Sequence, residues 1–244
     1  MVKAQSVSKI YSSGAIKVEA LRGINLEVKT SEMIAIMGPS GCGKTTLLNC
    51  LSGLDDLTGG KVMIDGVDVH KMSDNKKSEF RAKKMGFIFQ SYNLLPVLSA
   101  LENVELPLVI SHVDEKLARR KAIEALSLVG LEEWKNHRPS ELSGGQQQRV
   151  AIARSLANSP SIIWADEPTG NLDSENSLEI ISLLRKLNRE VGLTLIVVTH
   201  DQAIASQTDR IVVMRNGQIV RTMDTSSTPS LSSPTELDGD YSNE

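Results

Sequence analysis

Apolar residues along the chain gather into short runs, which are separated by stretches rich in glycine, proline and charged residues. Runs of this kind are typical of strands that are buried on both faces of a sheet. The strongest runs are Met33–Met37, Met85–Phe89, Ser161–Glu167 and Leu193–Val198. Because helical stretches separate most of these runs, the pattern predicts an α/β protein with a largely parallel core sheet.

Weaker β patterns occur near both ends of the chain. Alternating stretches at Val2–Val7 and Ile24–Val28, with a turn that ends at Gly14 between them, predict an antiparallel β unit. A further strand at Gly59–Gly66, which ends in an Asp-Gly turn, extends this unit. Near the other end, Asp209–Arg221 predicts a closing hairpin.

Helical periodicity fills most of the remaining chain. The segment 91–158 is helical in pattern, and Pro96 and Pro107 are expected to break it near its start. Ser99 is a candidate N-cap in this segment. The predicted helices are Thr45–Leu54, Lys71–Lys84, Ser99–Val104, Asp114–Gly130, Gln147–Leu156 and Ser174–Glu190.

These patterns predict one domain over residues 1–224. Its core comprises residues 1–90 and 159–224 and includes the antiparallel β unit, and residues 91–158 form an inserted helical subdomain. Residues 225–244 are rich in Ser, Thr, Pro and acidic residues, so we expect a disordered tail there.

Composition narrows the function classes. With 40% hydrophobic and 23% charged residues among 244, the chain has the composition of an ordinary globular domain. The net charge is −3 and no basic block is present, which argues against a nucleic-acid partner. Two isolated cysteines favour a reducing, intracellular setting. No signal-like start and no apolar run of about 20 residues occurs, so any membrane role must come through a partner.

The stretch Gly38–Thr45 reads Gly-Pro-Ser-Gly-Cys-Gly-Lys-Thr and lies between a predicted strand and a predicted helix. In this pattern, glycines let successive backbone N–H groups turn onto phosphate oxygens, and the helix N-terminus adds its positive dipole end. Lys44 is expected to reach the β- and γ-phosphates, and the Thr45 hydroxyl to bind Mg²⁺. The pattern predicts a nucleoside triphosphate site.

Polar side chains follow three of the predicted core strands. Gln90 follows one strand, Asp166 and Glu167 end the next, and His200 comes soon after the last. Because ligands gather at the carboxyl ends of parallel strands, all of these residues are expected near the phosphates. Asp166 and Glu167 point to opposite faces of their strand, so one is expected to support Mg²⁺ and the other to activate water.

A second anion-binding helix N-terminus is predicted at Leu142-Ser-Gly-Gly-Gln146, where an uninterrupted amphipathic helix begins. One chain with one nucleotide does not need two such devices. Two copies of the chain that face each other would use both.

These motifs, in this order and spacing, resemble the ATP-binding cassette (ABC) ATPases. The likeness runs from about Val2 to Arg221, and it rests on Gly38–Thr45, Gln90, Leu142–Gln146, Ile162–Glu167, Asn171–Asp173 and His200. It implies a P-loop NTPase fold with a mixed RecA-like sheet core, an antiparallel β subdomain and an inserted α-helical subdomain. A narrower likeness, to the macrolide-export and lipoprotein-release branch, rests on Phe87–Pro96, Ala100–Pro107, Ser143–Arg154 and Ala165–Asp173.

The resemblance implies a role for each motif residue. Glu167 is the general base, His200 contacts the γ-phosphate, and Gln90 senses the metal and the membrane subunit. Mg²⁺ is held by Thr45, Gln90 and Asp166. Tyr11 stacks on adenine, whereas a ring packed on the small sheet is the alternative from the residues alone. The remaining nucleotide contacts are Gly38, Pro39, Ser40, Gly41, Cys42, Gly43, Lys44, Thr45 and Thr46.

The same resemblance implies a head-to-tail dimer around two ATP molecules. Ser143, Gly144, Gly145 and Gln146 cap the γ-phosphate held by the second copy, and Asp173 lies at the dimer seam. We expect ATP and Mg²⁺ as cofactors, and integral membrane permease subunits with an extracytoplasmic domain as further partners. The chain is then peripheral on the cytoplasmic face of the membrane.

Three functions fit these motifs. The first is an ATPase subunit that drives export or mechanotransmission by separate membrane subunits. The second is an ATPase that regulates a membrane-linked extracellular hydrolase, and it shares almost every residue with the first. The third is a soluble ABC ATPase acting on DNA or ribosomes, which typically carries a long coiled coil or two cassettes, and this sequence has neither.

Overall fold

The computed structural model describes residues 1–14 and 16–225. Its strands are β1 (Val2–Ser13), β2 (Ile16–Val28), β3 (Met33–Met37), β4 (Gly59–Ile64), β5 (Val67–Asp68), β6 (Met85–Phe89), β7 (Ile162–Asp166), β8 (Thr194–Val198), β9 (Arg210–Arg215) and β10 (Gln218–Asp224). Its α-helices are α1 (Lys44–Ser52), α2 (Asp74–Lys84), α3 (Ala100–Ile110), α4 (Glu115–Leu128), α5 (Gly144–Leu156), α6 (Ser174–Val191) and α7 (Gln202–Ala205). The predicted tail, apart from Thr225, lies outside the described residues.

A six-stranded sheet forms the core, in the order β10-β9-β3-β8-β7-β6. The strands β9, β3, β8, β7 and β6 are parallel, and β10 closes one edge as the antiparallel half of a hairpin. The predicted mixed core sheet is therefore confirmed. Because the carboxyl ends of β3, β6, β7 and β8 meet at one edge, the residues that follow these strands are brought together there.

Alternation along β7 joins the two layers of the core. Ile163 and Ala165 face the cluster that packs against α3, α4, α5 and α6, whereas Ile162 and Trp164 face the cluster that contains α1 and the small sheet. Trp164 is completely buried. Both faces of the sheet are covered, which explains why its strands read as continuous apolar runs.

The second sheet has the order β2-β1-β4-β5 and is antiparallel. Its first two strands run much further than the sequence predicts, since β1 continues to Ser13 and β2 begins at Ile16. Bulges between Ala4 and Ile10 shift the register and interrupt the alternation on which the prediction relied. The outer part of this hairpin is mostly exposed, including its apolar residues Ile10, Ile16 and Val18.

Several helix ends lie at the residues predicted for them. Gly53 and Gly192 have positive φ angles of 69° and 73° after α1 and α6, where a left-handed residue closes the last turn. Ser99 caps α3 in a capping box with Glu102, as predicted. The predicted break at Pro107 is wrong, because α3 continues through it to Ile110. Burial of Val104 and Leu108 offsets the one helical hydrogen bond that proline removes.

Candidate functional site

The segment Gly38–Thr45 runs from the end of β3 into the first turn of α1, as the strand–loop–helix order predicts. A Cβ at Gly38 would lie 2.3 Å from the Met214 carbonyl oxygen, and one at Gly43 would lie 2.6 Å from the Ala20 carbonyl oxygen. Gly43 has a φ of 102° and precedes the first turn of α1. Only glycine fits at these two positions, because both the close approach and the backbone angle exclude a side chain.

Lys44 is buried in this loop, with only 7% of its surface exposed. Its Nζ atom donates to the carbonyl oxygens of Gly38 and Pro39, at 2.9 and 3.0 Å. Uncharged carbonyls satisfy an ammonium group without neutralising it. The loop therefore holds a positive charge at the N-terminus of α1, an arrangement that favours a bound anion.

Thr45 and Asp166 meet at the next strand end. The Thr45 hydroxyl donates to Oδ1 of Asp166 at 3.1 Å. Burial raises the pKa of the Asp166 carboxyl, and the neighbouring Glu167 carboxylate raises it further, while Thr45 and Lys44 act in the opposite direction. Burial is the largest cause of this shift, and a cation bound beside the carboxyl would favour its ionised form.

Glu167 leaves β7 with a φ of 47°, which is uncommon for a residue with a side chain. Its N–H donates to the Val198 carbonyl oxygen at 3.0 Å, so the turn is tied to the end of β8. Its Oε2 atom lies 3.0 Å from Nδ1 of His200. The structure thus brings the predicted base and the predicted histidine into direct contact.

Gln90 lies after β6, at the same edge of the sheet. Its main-chain oxygen accepts a hydrogen bond from Nδ2 of Asn171 at 3.0 Å, and its Nε2 lies 3.4 Å from Oδ1 of the same residue. A Cβ at Gly170 would lie 2.7 Å from that Nε2 atom. The Gln90 side chain is therefore held against the loop that follows Glu167.

These residues line one cavity of about 860 Å³. The predicted members on its wall are Gly38, Pro39, Ser40, Gly41, Gly43, Lys44, Thr45, Thr46, Gln90, Glu167 and His200. Asp166 adjoins it through Thr45, and Cys42 is buried beneath the loop. The cavity is large enough for a nucleotide.

Another wall of this cavity was not predicted from the sequence. Val18 and Ala20 from β2, together with Asn216 and Gly217 from the β9–β10 turn, line it. The Gly217 N–H donates to the Cys42 carbonyl oxygen at 3.0 Å, which fixes the turn against the phosphate loop. The Asn-Gly pair was a visible turn signal, but nothing local indicated that the turn lies against the loop.

Tyr11 stands outside the residues that line the cavity, at the exposed part of the small sheet. Its hydroxyl donates to Oδ2 of Asp55 at 2.6 Å, and the Lys9 ammonium lies 4.8 Å from its ring centre. The hydroxyl also interacts with Thr46 of the phosphate loop region. The ring is near the site and held in place, and stacking on adenine stays a prediction.

The second predicted helix N-terminus, at the start of α5, does not line this cavity. Ser143 is exposed and caps α5 in a capping box with Gln146. The Gln146 N–H donates to Oγ of Ser143 at 3.2 Å. Asp173 caps α6, and the Asn176 N–H holds the pKa of Asp173 below its ordinary value. Within the described residues, none of Ser143, Gly144, Gly145, Gln146 and Asp173 lines the nucleotide cavity.

Residues 21–170, which include the phosphate loop, the ends of β6 and β7 and the start of α5, match the ABC transporter family. The chain belongs to this family. It carries the ABC ATPase domain, and the ATP-binding subunit of a transporter is the role that this family assignment gives. The described part of this ABC ATPase contains no helix that is both long and apolar enough to span a bilayer.

Relatives agree with the assignment over nearly the whole chain. An uncharacterized ABC transporter ATP-binding protein of Thermotoga maritima is 55% identical over 213 residues, 87% of this chain and 91% of the relative. The macrolide export ATP-binding/permease protein MacB of Syntrophobacter fumaroxidans is 47% identical over 221 residues, 90% of this chain but 31% of MacB. This ABC ATPase therefore matches about a third of that longer protein.

The fold agrees with a solved structure of the cassette MJ0796 from Methanocaldococcus jannaschii. The TM-score is 0.85 at 46% identity, and the match covers 92% of this chain and 99% of the other. That structure is a dimer in a post-hydrolysis state with ADP and Pi bound. The expected ABC ATPase fold is confirmed.

Proposed function

We propose that this ABC ATPase closes with a second copy around two ATP molecules and thereby drives export or mechanotransmission by separate membrane subunits. The observation that carries the proposal is the contact of Glu167 with His200 in the cavity that also holds Lys44. A base, an orienting histidine and a phosphate-binding ammonium are the parts that ATP hydrolysis needs.

Each residue has a part in this chemistry. The N–H groups of the loop Gly38–Thr46 and the Lys44 ammonium bind and orient the phosphates. Glu167 takes a proton from the attacking water, and His200, in contact with Glu167, orients the base and meets the γ-phosphate. Placing water and phosphate in line accounts for much of the rate, because phosphoryl transfer relies on positioning and charge.

Mg²⁺ fits the oxygen donors at the end of β7. The Thr45 hydroxyl, the Asp166 carboxylate and the Gln90 amide oxygen are hard ligands of the kind that Mg²⁺ prefers. The described residues include no cluster of three or more His, Cys, Asp and Glu side chains suited to a metal. Few protein ligands are expected, since Mg²⁺ in such sites is bound largely by phosphates and water. When bound, Mg²⁺ neutralises charge on the phosphates.

The second copy is supported by the exposed start of α5. Ser143 and the first N–H groups of this helix form an anion-binding N-terminus that the chain's own cavity does not use. A head-to-tail dimer would place it on the γ-phosphate held by the partner, with Asp173 at the seam. The dimer of MJ0796 is a relative's assembly that agrees with this arrangement.

The membrane partner is supported by an apolar groove of about 380 Å³ between β6 and the helices α3 and α5. Phe87, Phe89 and Ile110 line it, and Ile110 is 65% exposed. The groove lies beside the loop that follows Gln90. We propose that a cytoplasmic segment of a permease with an extracytoplasmic domain docks here, so that the ATPase is held at the cytoplasmic face of the membrane.

Co-purification from membranes tests this function. The Glu167→Gln variant with ATP and Mg²⁺ is used as bait in detergent-solubilised membranes of the organism that encodes the chain. We expect a permease with an extracytoplasmic domain, and the additional substitution Ile110→Glu should release it without affecting ATP-driven dimerisation. Recovery of only ribosomal or chromosomal proteins would contradict the proposal, and a membrane-anchored hydrolase complex would favour the regulatory form of it.

A further inference from the structure

Gln148 is a completely buried polar residue on α5 that the nucleotide cavity does not use. Its Nε2 atom donates to the main-chain oxygen of Pro168, the residue after Glu167. Its Oε1 atom is buried without a hydrogen-bond partner among the described residues. A buried amide with one unpaired end destabilises a fold relative to an apolar side chain of the same size. The amide at this position therefore indicates a role beyond packing.

The turn after β7 explains what the Gln148 amide holds. Inside this turn, the Gly170 N–H donates to the Glu167 oxygen at 3.0 Å and the Leu172 N–H donates to the Thr169 oxygen at 3.0 Å. Pro168 lies in sequence between the two acceptors, Glu167 and Thr169. Its buried main-chain oxygen accepts a hydrogen bond from Gln148. The proline ring fixes φ at Pro168, so one fewer backbone torsion is free to rotate between Glu167 and this carbonyl.

A second contact connects the face of α5 that carries Gln148 with the start of α6, where the segment after β7 ends. Gly145 lies three residues before Gln148, and a Cβ at Gly145 would come within 2.8 Å of Oδ1 of Asn176. The Asn176 side chain donates to Oδ2 of Asp173 at 2.7 Å, at the start of α6. The helix α5 thus contacts the segment 167–176 near both of its ends, and residues at i and i+3 lie on one helix face.

We propose that Gln148 is a positioning residue that ties the placement of Glu167 to the placement of α5. The inference rests on the proposed function, in which Glu167 is the base and the start of α5 meets the ATP of the second copy. When Ser143 binds the nucleotide held by the second copy, the position of α5 is fixed. The hydrogen bond from Gln148 to the Pro168 oxygen then restricts the position of Glu167 in the same chain. Each chain's base is aligned only when its helix α5 is engaged, so the two sites of the dimer are coupled.

Steady-state hydrolysis by Gln148→Met tests the inference. Methionine keeps the volume and removes the donor, so folding is expected to survive. We expect kcat to fall at least tenfold with KM for ATP within twofold of the wild type, since misplacing a catalytic group by about 1 Å costs on the order of 100-fold. The matched control is Ser155→Ala, which removes a buried hydroxyl–carbonyl bond of 2.7 Å near the end of the same helix. Its kcat is expected to stay within twofold.

Dimer mass in Mg²⁺ and ATP separates positioning from a structural role. If Gln148 positions the base, Gln148→Met binds ATP and closes but hydrolyses slowly, so its dimer accumulates with Glu167 intact. A monomeric variant with a raised KM and a lowered melting temperature would overturn the inference, and so would unchanged kcat. Gln148→Leu is the second variant, with the same expected result, should the first fail to fold.

The outcome for Glu167→Gln distinguishes this inference from the proposed function. If Glu167→Gln hydrolysed ATP at the wild-type rate, Glu167 would not be the base, and both the proposed function and the role of Gln148 would be overturned. An inactive Glu167→Gln together with an unaffected Gln148→Met would overturn only the role of Gln148.

Discussion

Nδ1 of His200 lies 3.0 Å from Oε2 of Glu167, although the two residues follow different strands of the core sheet. Glu167 directly follows β7, and His200 comes two residues after the end of the neighbouring strand β8. The Glu167 N–H and the Val198 oxygen are also bonded, so both backbone and side chains join the two strand ends. The contact restricts the carboxylate to one region of the cavity.

Replacing Glu167 with Gln should remove hydrolysis while ATP binding persists. The amide keeps the shape of the side chain but cannot take a proton, so we expect turnover to fall by about 100-fold or more. Phosphate release and equilibrium binding of a fluorescent ATP analogue measure the two properties separately. Unchanged turnover would show that Glu167 is not the general base.

His200→Ala should reduce kcat with a smaller effect on ATP affinity, because Glu167 loses the group that restrains it. We expect a decrease of about 10-fold to 100-fold. His112 is an exposed histidine after α3, outside the residues that line the cavity, so His112→Asn serves as the control and should keep wild-type kinetics. Equal effects of the two substitutions would argue against a role for the contact with Glu167.

Gly38→Ala should abolish nucleotide binding. The new Cβ would lie 2.3 Å from the Met214 oxygen and 2.7 Å from the Cys42 sulfur, so the loop must move. Gly66 is the control, because it also has a positive φ, of 79°, and its Cβ would meet nothing. Gly66→Ala should cost only about 1 kcal/mol of backbone strain. Melting temperatures with and without ATP compare the variants, and an ATP-induced shift that persists in Gly38→Ala would contradict the prediction.

Asp209 joins three elements of the core. Its Oδ2 accepts the Met33 N–H at 2.9 Å, and its Oδ1 pairs with Arg185 of α6 at 2.5 Å. Burial alone raises the pKa of Asp209, but the hydrogen bonds from Arg185 and Met33 outweigh it, so the net pKa is lowered. The stabilisation is therefore complete above the ordinary pKa and is lost as the pH falls through the lowered one.

Asp209→Asn should accordingly destabilise the protein by about 1–2 kcal/mol at neutral pH. The difference from the wild type should shrink below about pH 4, where the carboxyl of the unfolded chain begins to protonate, and should continue to shrink as the pH falls through the lowered native pKa. Urea unfolding at pH 7 and at the lowest pH at which both proteins fold measures the difference. A difference that does not change with pH would contradict the assigned charge state.

The core of the fold was predictable because its signals are local. Continuous apolar runs identified β3, β6, β7 and β8, and glycines after α1 and α6 marked helix ends. The full length of the β1–β2 hairpin was not predicted, since bulges between Ala4 and Ile10 shift the register of β1 and interrupt its alternation. The prediction of a break at Pro107 failed because burial of neighbouring residues in α3 outweighs proline's local cost.

The site was predictable to the extent that its residues belong to motifs. Lys44 was identified by the phosphate-loop motif, and Glu167 and His200 were identified by their places at strand ends; the sheet order brings the three together. The wall formed by Ala20 and Gly217 was missed, because it depends on how the small sheet and the last hairpin pack on the loop. Gln148 was also missed, since a glutamine inside a helix carries no signal until its partner is known.

Mass measurement by light scattering, with Mg²⁺ and ATP, tests the central claim that two copies share their sites. Glu167→Gln should be a dimer with ATP and a monomer without nucleotide. The double variant Glu167→Gln/Ser143→Arg should still bind ATP and remain a monomer, because an arginine at the start of α5 blocks its approach to the partner's phosphates. A double variant that still dimerises with ATP, or a Glu167→Gln variant that stays monomeric, would contradict the head-to-tail arrangement.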